Sequence, residues 1–412
     1  MITLSPPGFQ QEIVMDKKPL LFLYCQHSLG MGHLRRSIEI TKTLIDHFEI
    51  VFINGGRIPE SIPFPDCIES IDLPPLGMNA NGMLINQSDL DDLNEAKRVR
   101  QEMIQDQFQK CQPDVVLIEL FPFGRKKFAF ELLPLLRLAK KSCHKPLIVC
   151  DLRDILVNDR RDQQRHDDRA RWLCKRYFDA ILVHTDPQFA RLEESFQPEK
   201  SLSTPVFYTG FVAGNAIKTN IIDPKPGIVV SAGGGNVGQP LFIAAINAQP
   251  RIWQQYRIPM SIVAGPFLPD ADWQFIQHKA QNVPGLTVYR SVPDLKCLLQ
   301  NATVSISQCG YNTTMDILTT KVPSLLIPYA EGRENEQTKR AFKLEKLGVA
   351  RVLSETELST DRLIEEIAPL LEFKPLPFSL QMNGAKRSSE ILLQLLNSQQ
   401  HPGLEKNNVM LA

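Results

Sequence analysis

Short apolar runs recur along the chain, each ended by glycine, proline or polar residues. Leu20–Cys25, Ile50–Ile53, Val115–Leu120, Leu147–Cys150 and Ala180–Val183 form a first series. Ile228–Ser231, Ser261–Ala264, Leu286–Tyr289, Val304–Ile306 and Ser324–Ile327 form a second. Runs of this length between breakers read as buried strands. Stretches with helical spacing separate them, among them Leu34–Phe48, Phe128–Lys141 and Thr313–Thr320. Strand alternating with helix predicts parallel sheets covered on both faces. The polar stretch Gly77–Leu93 is expected as a long loop. Asp151–Arg176, dense in both charge signs, is expected as a solvated helix with a flexible lead-in.

Two series of strands imply two sheets. The break falls near Phe211–Gly227, which ends in Asp-Pro-Lys-Pro-Gly. The expected organisation is an extension at 1–17, a first domain at 18–212 and a linker at 213–227. A second domain at 228–396 and a flexible tail at 397–412 follow. Each half opens with a strand, a glycine-rich turn and a helix, so the fold class is α/β with two Rossmann-like, doubly wound domains facing across a cleft. A length of 412 residues suits two or three cores.

Composition narrows the function classes. Hydrophobic residues make up 43% and charged residues 22%, which excludes a disordered, collagen-like or coiled-coil chain. Forty-six basic residues balance 46 acidic ones, so the basic excess of a bulk nucleic-acid binder is missing and no nucleic-acid partner is expected. None of the 8 cysteines forms a CxxC pair, and scattered thiols suit a reduced, cytoplasmic setting. No apolar run approaches the ~20 residues of a membrane span, and no secretory signal is visible. Membrane contact is expected to be peripheral at most.

In parallel sheets the turns after the strands' carboxyl ends line the ligand crevice. In the first half this selects Gly30, Gly32, His33, Glu119, Arg125, Asp151, Arg153, Asp154, His184 and Asp186. In the second half it selects Ser231–Gly235, Gly265, Arg290–Val292, Gln308–Asn312 and Glu331–Gln337. Gly233, Gly235 and Gly238 form a GxGxxG, but the next strand ends at Gly265-Pro-Phe without a carboxylate for a ribose. That disfavours NAD and leaves an anion-binding turn at a helix N-terminus, or a tight turn without a ligand. His33 stands in the first turn of its helix, where the dipole favours neutral imidazole, the form a general base needs. Capping or packing is the alternative role. Arg35 and Arg36 oppose the same dipole, so at least one needs a carboxylate or an anion. Phe121-Pro-Phe-Gly-Arg-Lys-Lys-Phe-Ala-Phe either packs its helix on the sheet or offers an acceptor wall or membrane contact.

Gln308-Cys-Gly-Tyr-Asn-Thr-Thr-Met-Asp316 resembles the Cys-Gly-Trp-Asn-Ser-Thr-Leu-Glu core of the UDP-glycosyltransferase signature. Val322-Pro-Ser-Leu-Leu-Ile-Pro328, then Glu336-Gln337 and Ala341, resemble its continuation. The opening Tyr-Cys-Gln-His and Gly-Met-Gly-His-Leu-Arg-Arg-Ser are similar to predicted MurG-like, family 28-type glycosyltransferases. The resemblance implies a GT-B architecture and inverting transfer of a hexose-type sugar from a UDP-sugar to a small-molecule or lipid acceptor. It implies no obligatory metal and no cofactor beyond the nucleotide-sugar cosubstrate.

The resemblance also implies roles. Asp316 accepts from the ribose hydroxyls, although it is a methylene shorter than the Glu of many relatives. Thr313, Thr314 and the backbone of Gly310–Asn312 hold the diphosphate; Asn312 and Thr313 would equally suit helix caps. Gln308 replaces the His of plant-type relatives. Glu336 and Gln337 read sugar hydroxyls, and Ser291 and Val292 read the base edge. Ser231, Gly233, Gly234, Gly235 and Asn236 face the diphosphate or acceptor from below. His33 is the expected base, with Asp151, Asp154, Asp186 and His184 in reserve. Gly30, Gly32, Arg35, Arg125, Arg153 and His184 form the acceptor side. A nucleotide-sugar hydrolase, a UDP-sugar 2-epimerase and a non-catalytic sugar-nucleotide sensor remain alternatives on the same fold.

Overall fold

The apolar runs pair as two all-parallel sheets in the computed structural model, which describes residues 18–27, 32–58, 64–79, 82–214, 227–235, 237–330 and 335–400. The first part contains β1 (Leu20–Cys25), α1 (Gly32–Leu44), β2 (Glu49–Asn54), β3 (Glu69–Asp72), β4 (Leu76–Met78), β5 (Leu84–Asn86) and α2 (Leu93–Cys111). It continues with β6 (Val115–Glu119), α3 (Ala129–Lys141), β7 (Leu147–Arg153), α4 (Gln163–Tyr177), β8 (Ala180–His184) and β9 (Val206–Tyr208). Its sheet runs β3-β2-β1-β6-β7-β8-β9.

The second part contains β10 (Ile228–Ser231), α5 (Gln239–Tyr256), β11 (Met260–Val263), α6 (Asp270–Ala280), β12 (Leu286–Tyr289) and α7 (Leu295–Asn301). It continues with β13 (Val304–Ser307), α8 (Tyr311–Thr320), β14 (Ser324–Leu326), α9 (Glu336–Lys346), β15 (Arg351–Val352), α10 (Thr360–Glu372) and α11 (Gly384–Gln400). Its sheet runs β12-β11-β10-β13-β14-β15.

Both sheets reverse their winding beside their first strand. β1 lies between β2 and β6, and β10 lies between β11 and β13. Such switch points open a crevice at the carboxyl ends, because the connections leave in opposite directions. Alternate residues of β1 feed the two faces. Phe22 and Tyr24 join one core with Ile118 and Leu132, while Leu21 and Leu23 join another with Leu34 and Ile38.

Three expectations change. Gly77–Leu93 is not a plain loop: β4 and β5 pair antiparallel within it. α2 then starts on Asp92, whose carboxylate accepts from the amides of Asn94 and Glu95. β7 runs past Cys150 to Arg153, which places Asp151 inside the sheet instead of in a solvated lead-in. The span 228–396 is also divided. α11 packs against α1, and its Ile391, Leu392 and Leu396 share a core with Leu21 and Leu34. The last helix therefore completes the first domain, and residues 397–400 of the expected tail are helical. Of the expected linker, 215–226 lies outside the described residues, as do the extension 1–17 and the tail from 401.

The crossing back is tightly built. Phe211 donates its amide to Gln381 O at 2.7 Å, and Gly384 donates to Phe211 O at 2.9 Å. Gly210 has φ +81°, and a Cβ there would lie 2.8 Å from the Gln381 backbone oxygen. Only glycine permits that approach. Among the described residues no helix is long and apolar enough to cross a membrane.

Leu392 is fully buried in the first core. Leu392→Ala is expected to cost about 3 kcal/mol. Hydrogen exchange should quicken in α1 and leave α10 unchanged, which exchange mass spectrometry can read. Equal loosening of α10 would contradict this division of the chain.

Candidate functional site

A cavity of about 680 Å³ opens between the carboxyl ends of the two sheets, where the two switch points face each other. The first domain contributes Gly32, His33, Arg35, Arg125 and Arg153. The turn after β10 contributes Ser231 and Gly233–Gly235, and the turn after β12 contributes Ser291 and Val292. The turn after β13 brings Gln308, Gly310, Asn312 and Thr313, and the start of α9 brings Glu336 and Gln337. Gly30 and Asn236 lie outside the described residues. The two sides touch where Asn312 Nδ2 donates to Gly32 O at 3.4 Å.

His33 Nδ1 lies 2.5 Å from Glu119 Oε1. Burial pushes the imidazole down to about 3, against the pull of Glu119. The Glu119 carboxyl would rise on burial, but His33, Arg125 and Arg36 outweigh that and hold it far below the carboxylate range. Burial favours the neutral imidazole, and beside an ionised Glu119 that form donates Nδ1–H to the carboxylate. The basic lone pair is then on Nε2. Glu119 is placed by the end of β6, and a sequence reading finds its position without its role. Its partner Arg36 donates to Glu119 Oε1 at 2.7 Å and reaches Asp151 Oδ2 at 3.5 Å. The guanidinium also stands 5.7 Å from the ring centroid of Tyr311, the first residue of α8.

The reserve bases are not in the cavity. Asp151 is buried between His184 Nε2 and Arg36. Burial alone would raise its carboxyl; His184 and Arg36 hold it low. Asp154 accepts from Arg340 Nε at 2.7 Å and Nη2 at 2.8 Å. Asp186 accepts from the amides of Gln188 at 2.8 Å and Gln381 at 2.9 Å. His184, fully buried, spends its other nitrogen on Thr209 Oγ1 at 2.8 Å. Each already has its partners, and none is among the residues that line the cavity.

On the opposite side α8 begins with a bare N-terminus: Gly310 caps it without a side-chain bond. A Cβ on Gly310 or on Gly32 would meet nothing within 4 Å, so both open into the cavity. Thr313 lines it, while Thr314 is fully buried with Oγ1 3.5 Å from Cys309 Sγ. Gln337 Oε1 accepts from the amides of Cys309 at 3.0 Å and Tyr329 at 3.2 Å, and so ties two lining loops together. Glu336 pairs with Arg153 from the first domain, Oε1 to Nη1 at 2.9 Å. Gln308 Nε2 donates to Val237 O at 3.1 Å. Asp316 stands one turn beyond Asn312, half-buried and outside the cavity wall. Burial pushes its carboxyl up to about 7, with Arg35 and Lys296 opposing and Asp294 and Glu39 adding.

Phe121, Phe123 and Phe128 are core residues, so the aromatic members of that segment pack inward. Its Arg125 faces the cavity.

Residues 229–394 match the glycosyltransferase family 28 C-terminal domain. The whole fold is similar to the crystal structure of Acinetobacter baumannii MurG, with a TM-score of 0.53 at 14% identity over 91% of this chain and 100% of that one. It is also similar to the UDP-GlcNAc 2-epimerase of Methanocaldococcus jannaschii, with a TM-score of 0.57 at 14% identity over 92% and 99%. The architecture is that of the GT-B glycosyltransferases. Within that architecture the second half is similar to the family 28 C-terminal domain.

A UDP-N-acetylglucosamine--N-acetylmuramyl-(pentapeptide) pyrophosphoryl-undecaprenol N-acetylglucosamine transferase of Finegoldia magna is 24% identical over 220 residues, 50% of this chain and 57% of that relative. The Oenococcus oeni protein of the same name is 26% identical over 184 residues, 43% and 49%. The chain thus spans about half the length of the curated relatives it matches.

Asp316 yields a test with a definite sign. Its unfolded value is near 3.9 and its folded value about 7. The folded state therefore holds the extra proton across that window, and Asp316 costs stability increasingly as pH rises through it. The melting temperature of Asp316→Asn minus that of the parent should be small near pH 4, grow to pH 7 and then level. A pH-independent difference in thermal melts would contradict the raised carboxyl.

Proposed function

We propose that this chain moves a sugar from a UDP-sugar to an acceptor hydroxyl, with inversion at the anomeric carbon. The observation that carries it is one cavity shared by the His33–Glu119 pair and the uncapped N-terminus of α8. Transfer needs those two functions. As the acceptor oxygen attacks the anomeric carbon, its proton passes to His33 Nε2. The bond from that carbon to the diphosphate oxygen breaks, and the leaving charge gathers on UDP. Glu119 stabilises the imidazolium that forms. The amides from Gly310 to Thr313 and the turn Ser231–Gly235 face the diphosphate, where preorganised donors are worth several kcal/mol.

Arg36 acts through Glu119. Its charge keeps the carboxylate ionised, so that His33 holds the tautomer with a free Nε2. Because Arg36 also packs on Tyr311, the base is oriented by the same helix start that receives the donor. Ser291 and Val292 line the cavity and would read the base, while Asp316, one turn along α8 from Asn312 and behind the cavity wall, would reach the ribose only from the side of that helix. Uridine-linked N-acetylglucosamine is the donor to test first, because the curated relatives carry it in their names. The reaction draws on no metal ion in this reading, so turnover should survive EDTA.

A thermal-shift series with UDP, dTDP, GDP, ADP and NAD is the first test. Stabilisation by a pyrimidine diphosphate, reduced in Asp316→Ala, is expected; no response to any pyrimidine diphosphate would remove the donor assignment. His33→Ala should then lower turnover by about 10²- to 10⁴-fold and leave UDP binding within about twofold. UDP release at an undiminished rate without acceptor would reassign the site to hydrolysis, and recovery of a 2-epimeric donor to epimerisation.

A further inference from the structure

The first domain buries a second carboxylate–histidine pair, which the transfer step leaves unused. Asp151 lies in β7 and His184 ends the adjacent β8, and Asp151 Oδ1 meets His184 Nε2. Both residues are buried. The two pairs share one cation. Nη2 of Arg36 lies 2.7 Å from Glu119 Oε1 and 3.5 Å from Asp151 Oδ2. Nε of the same guanidinium has no partner among the described residues. One nitrogen thus serves two carboxylates and stands closer to Glu119.

The unequal sharing has a cause at His184. Thr209 Oγ1 donates to Gly210 O at 2.8 Å and lies 2.8 Å from His184 Nδ1. A hydroxyl has one hydrogen and a carbonyl can only accept. The Thr209 oxygen is therefore left to accept from Nδ1–H. Nε2–H faces Asp151, whose carboxyl His184 and Arg36 hold low against the opposing effect of burial. With a hydrogen on each nitrogen the ring is a cation. It answers Asp151 through the oxygen that Arg36 does not approach. The charged groups around His33 are Glu119, Arg125 and Arg153. Those around Asp151 are His184, Arg36 and Glu119. From the second domain, Tyr311 packs on the Arg36 guanidinium and donates its hydroxyl to His184 O at 3.3 Å.

We propose that His184 is a positioning residue for the His33–Glu119 pair: by holding one oxygen of Asp151 it keeps Arg36 on Glu119, and so keeps Nε2 of His33 free. Without the His184 charge, Asp151 would be a buried anion with Arg36 as its one cation among the described residues, and such an anion draws its partner strongly. Arg36 drawn toward Asp151 would leave Glu119 under-compensated. Glu119 would then pull a proton onto His33, its hydrogen-bonded neighbour. A protonated His33 has no lone pair for an acceptor hydroxyl. The role of His33 as the base rests on the transfer reading, but the coupling of the two pairs can be measured without turnover.

The test follows the histidine rings of the full, isotope-labelled chain by NMR as pH falls. The His33 signals are identified by their loss in His33→Gln. In the parent the ring should stay neutral down to about 3. In His184→Gln it should take up its proton at least about one pH unit higher. Adding Asp151→Asn removes the anion as well and should return His33 to the parent's behaviour. A merely structural role predicts the opposite, a double variant at least as disturbed as the single one. Thermal melts check that each variant folds. Where His184→Gln does not, Thr209→Val takes its place: it removes the acceptor for Nδ1–H at nearly constant shape and should shift His33 the same way, again undone by Asp151→Asn. An unmoved His33 in a folded variant, or a shift that Asp151→Asn leaves in place, would overturn the proposal. Failure of UDP to shift the melting of the parent would remove the transfer reading while the coupling stood.

Discussion

Three carboxylates stand at the carboxyl ends of β6 and β7 where water scarcely reaches, and each must find a cation. Glu119 and Asp154 are 1% exposed and Asp151 is 3% exposed. Ionised carboxylates in such places are costly unless paired. Arg36, itself buried, answers Glu119 and Asp151 together. Asp154 has its cation in Arg340, which comes from α9 of the second domain. Removing the Arg340 guanidinium while the domains stay together would leave a buried charge alone, at a cost of about 3–5 kcal/mol. The way the two halves meet is thus tied to charges that belong to the first. The same meeting brings Tyr311 onto Arg36, and its hydroxyl onto the amide of Val212 at 3.0 Å and His184 O at 3.3 Å. His33 and the start of α8 share one buried electrostatic frame.

Glycine serves that frame in two different ways. Gly235 and Gly265 have φ of +93° and +100°, and their turns press together: a Cβ on Gly265 would lie 2.4 Å from the Gly234 carbonyl carbon. Here glycine is required by backbone conformation and by a neighbouring chain. At Gly32 and Gly310 nothing in the protein crowds the position. Those two residues leave room on the cavity side, one from each domain. That room is what a transfer reading needs, because a phosphate can meet backbone amides only where no side chain intervenes.

Both sheets, their parallel order and the position of the cleft were legible in the sequence, because buried parallel strands are continuous apolar runs between breakers. The glycine turns and the α8 signature were legible for the same reason: their residue types follow from local backbone demands. α2 was not. Its sequence is polar almost throughout, and what fixes it is Arg100, fully buried, donating to Glu131 at 2.6 and 2.7 Å and to Gln26 at 2.7 Å. Those partners lie 31 and 74 positions away, which no local pattern reports. The return of α11 to the first core was hidden likewise, since an amphipathic helix does not name the surface it will cover. Asp151, Asp154 and His184 misled for a related reason. A carboxyl-end position implies nearness to a ligand only for side chains that point up from the sheet, and these find partners within the structure. Glu119 stood in plain view, but its role depends on His33 being 86 residues away in sequence and 2.5 Å away in space.

The neighbouring Glu336 and Gln337 show how interdomain contacts can also set recognition. Glu336 is held by Arg153 across the cleft, which fixes its carboxylate without exhausting it, because two carboxylate oxygens offer about four acceptor sites. Gln337 is held through its oxygen by two backbone amides, which leaves its NH₂ group as the end that can meet a ligand. Under the transfer reading, one residue presents an acceptor and the next a donor to adjacent sugar hydroxyls. A sugar whose hydroxyls are arranged otherwise would leave one of these groups unpaired in a part-buried place, at a cost of about 1–3 kcal/mol. Discrimination among donor sugars would then come from the loops and the first domain, which fix which end of each side chain faces the cavity, as much as from the two side chains themselves.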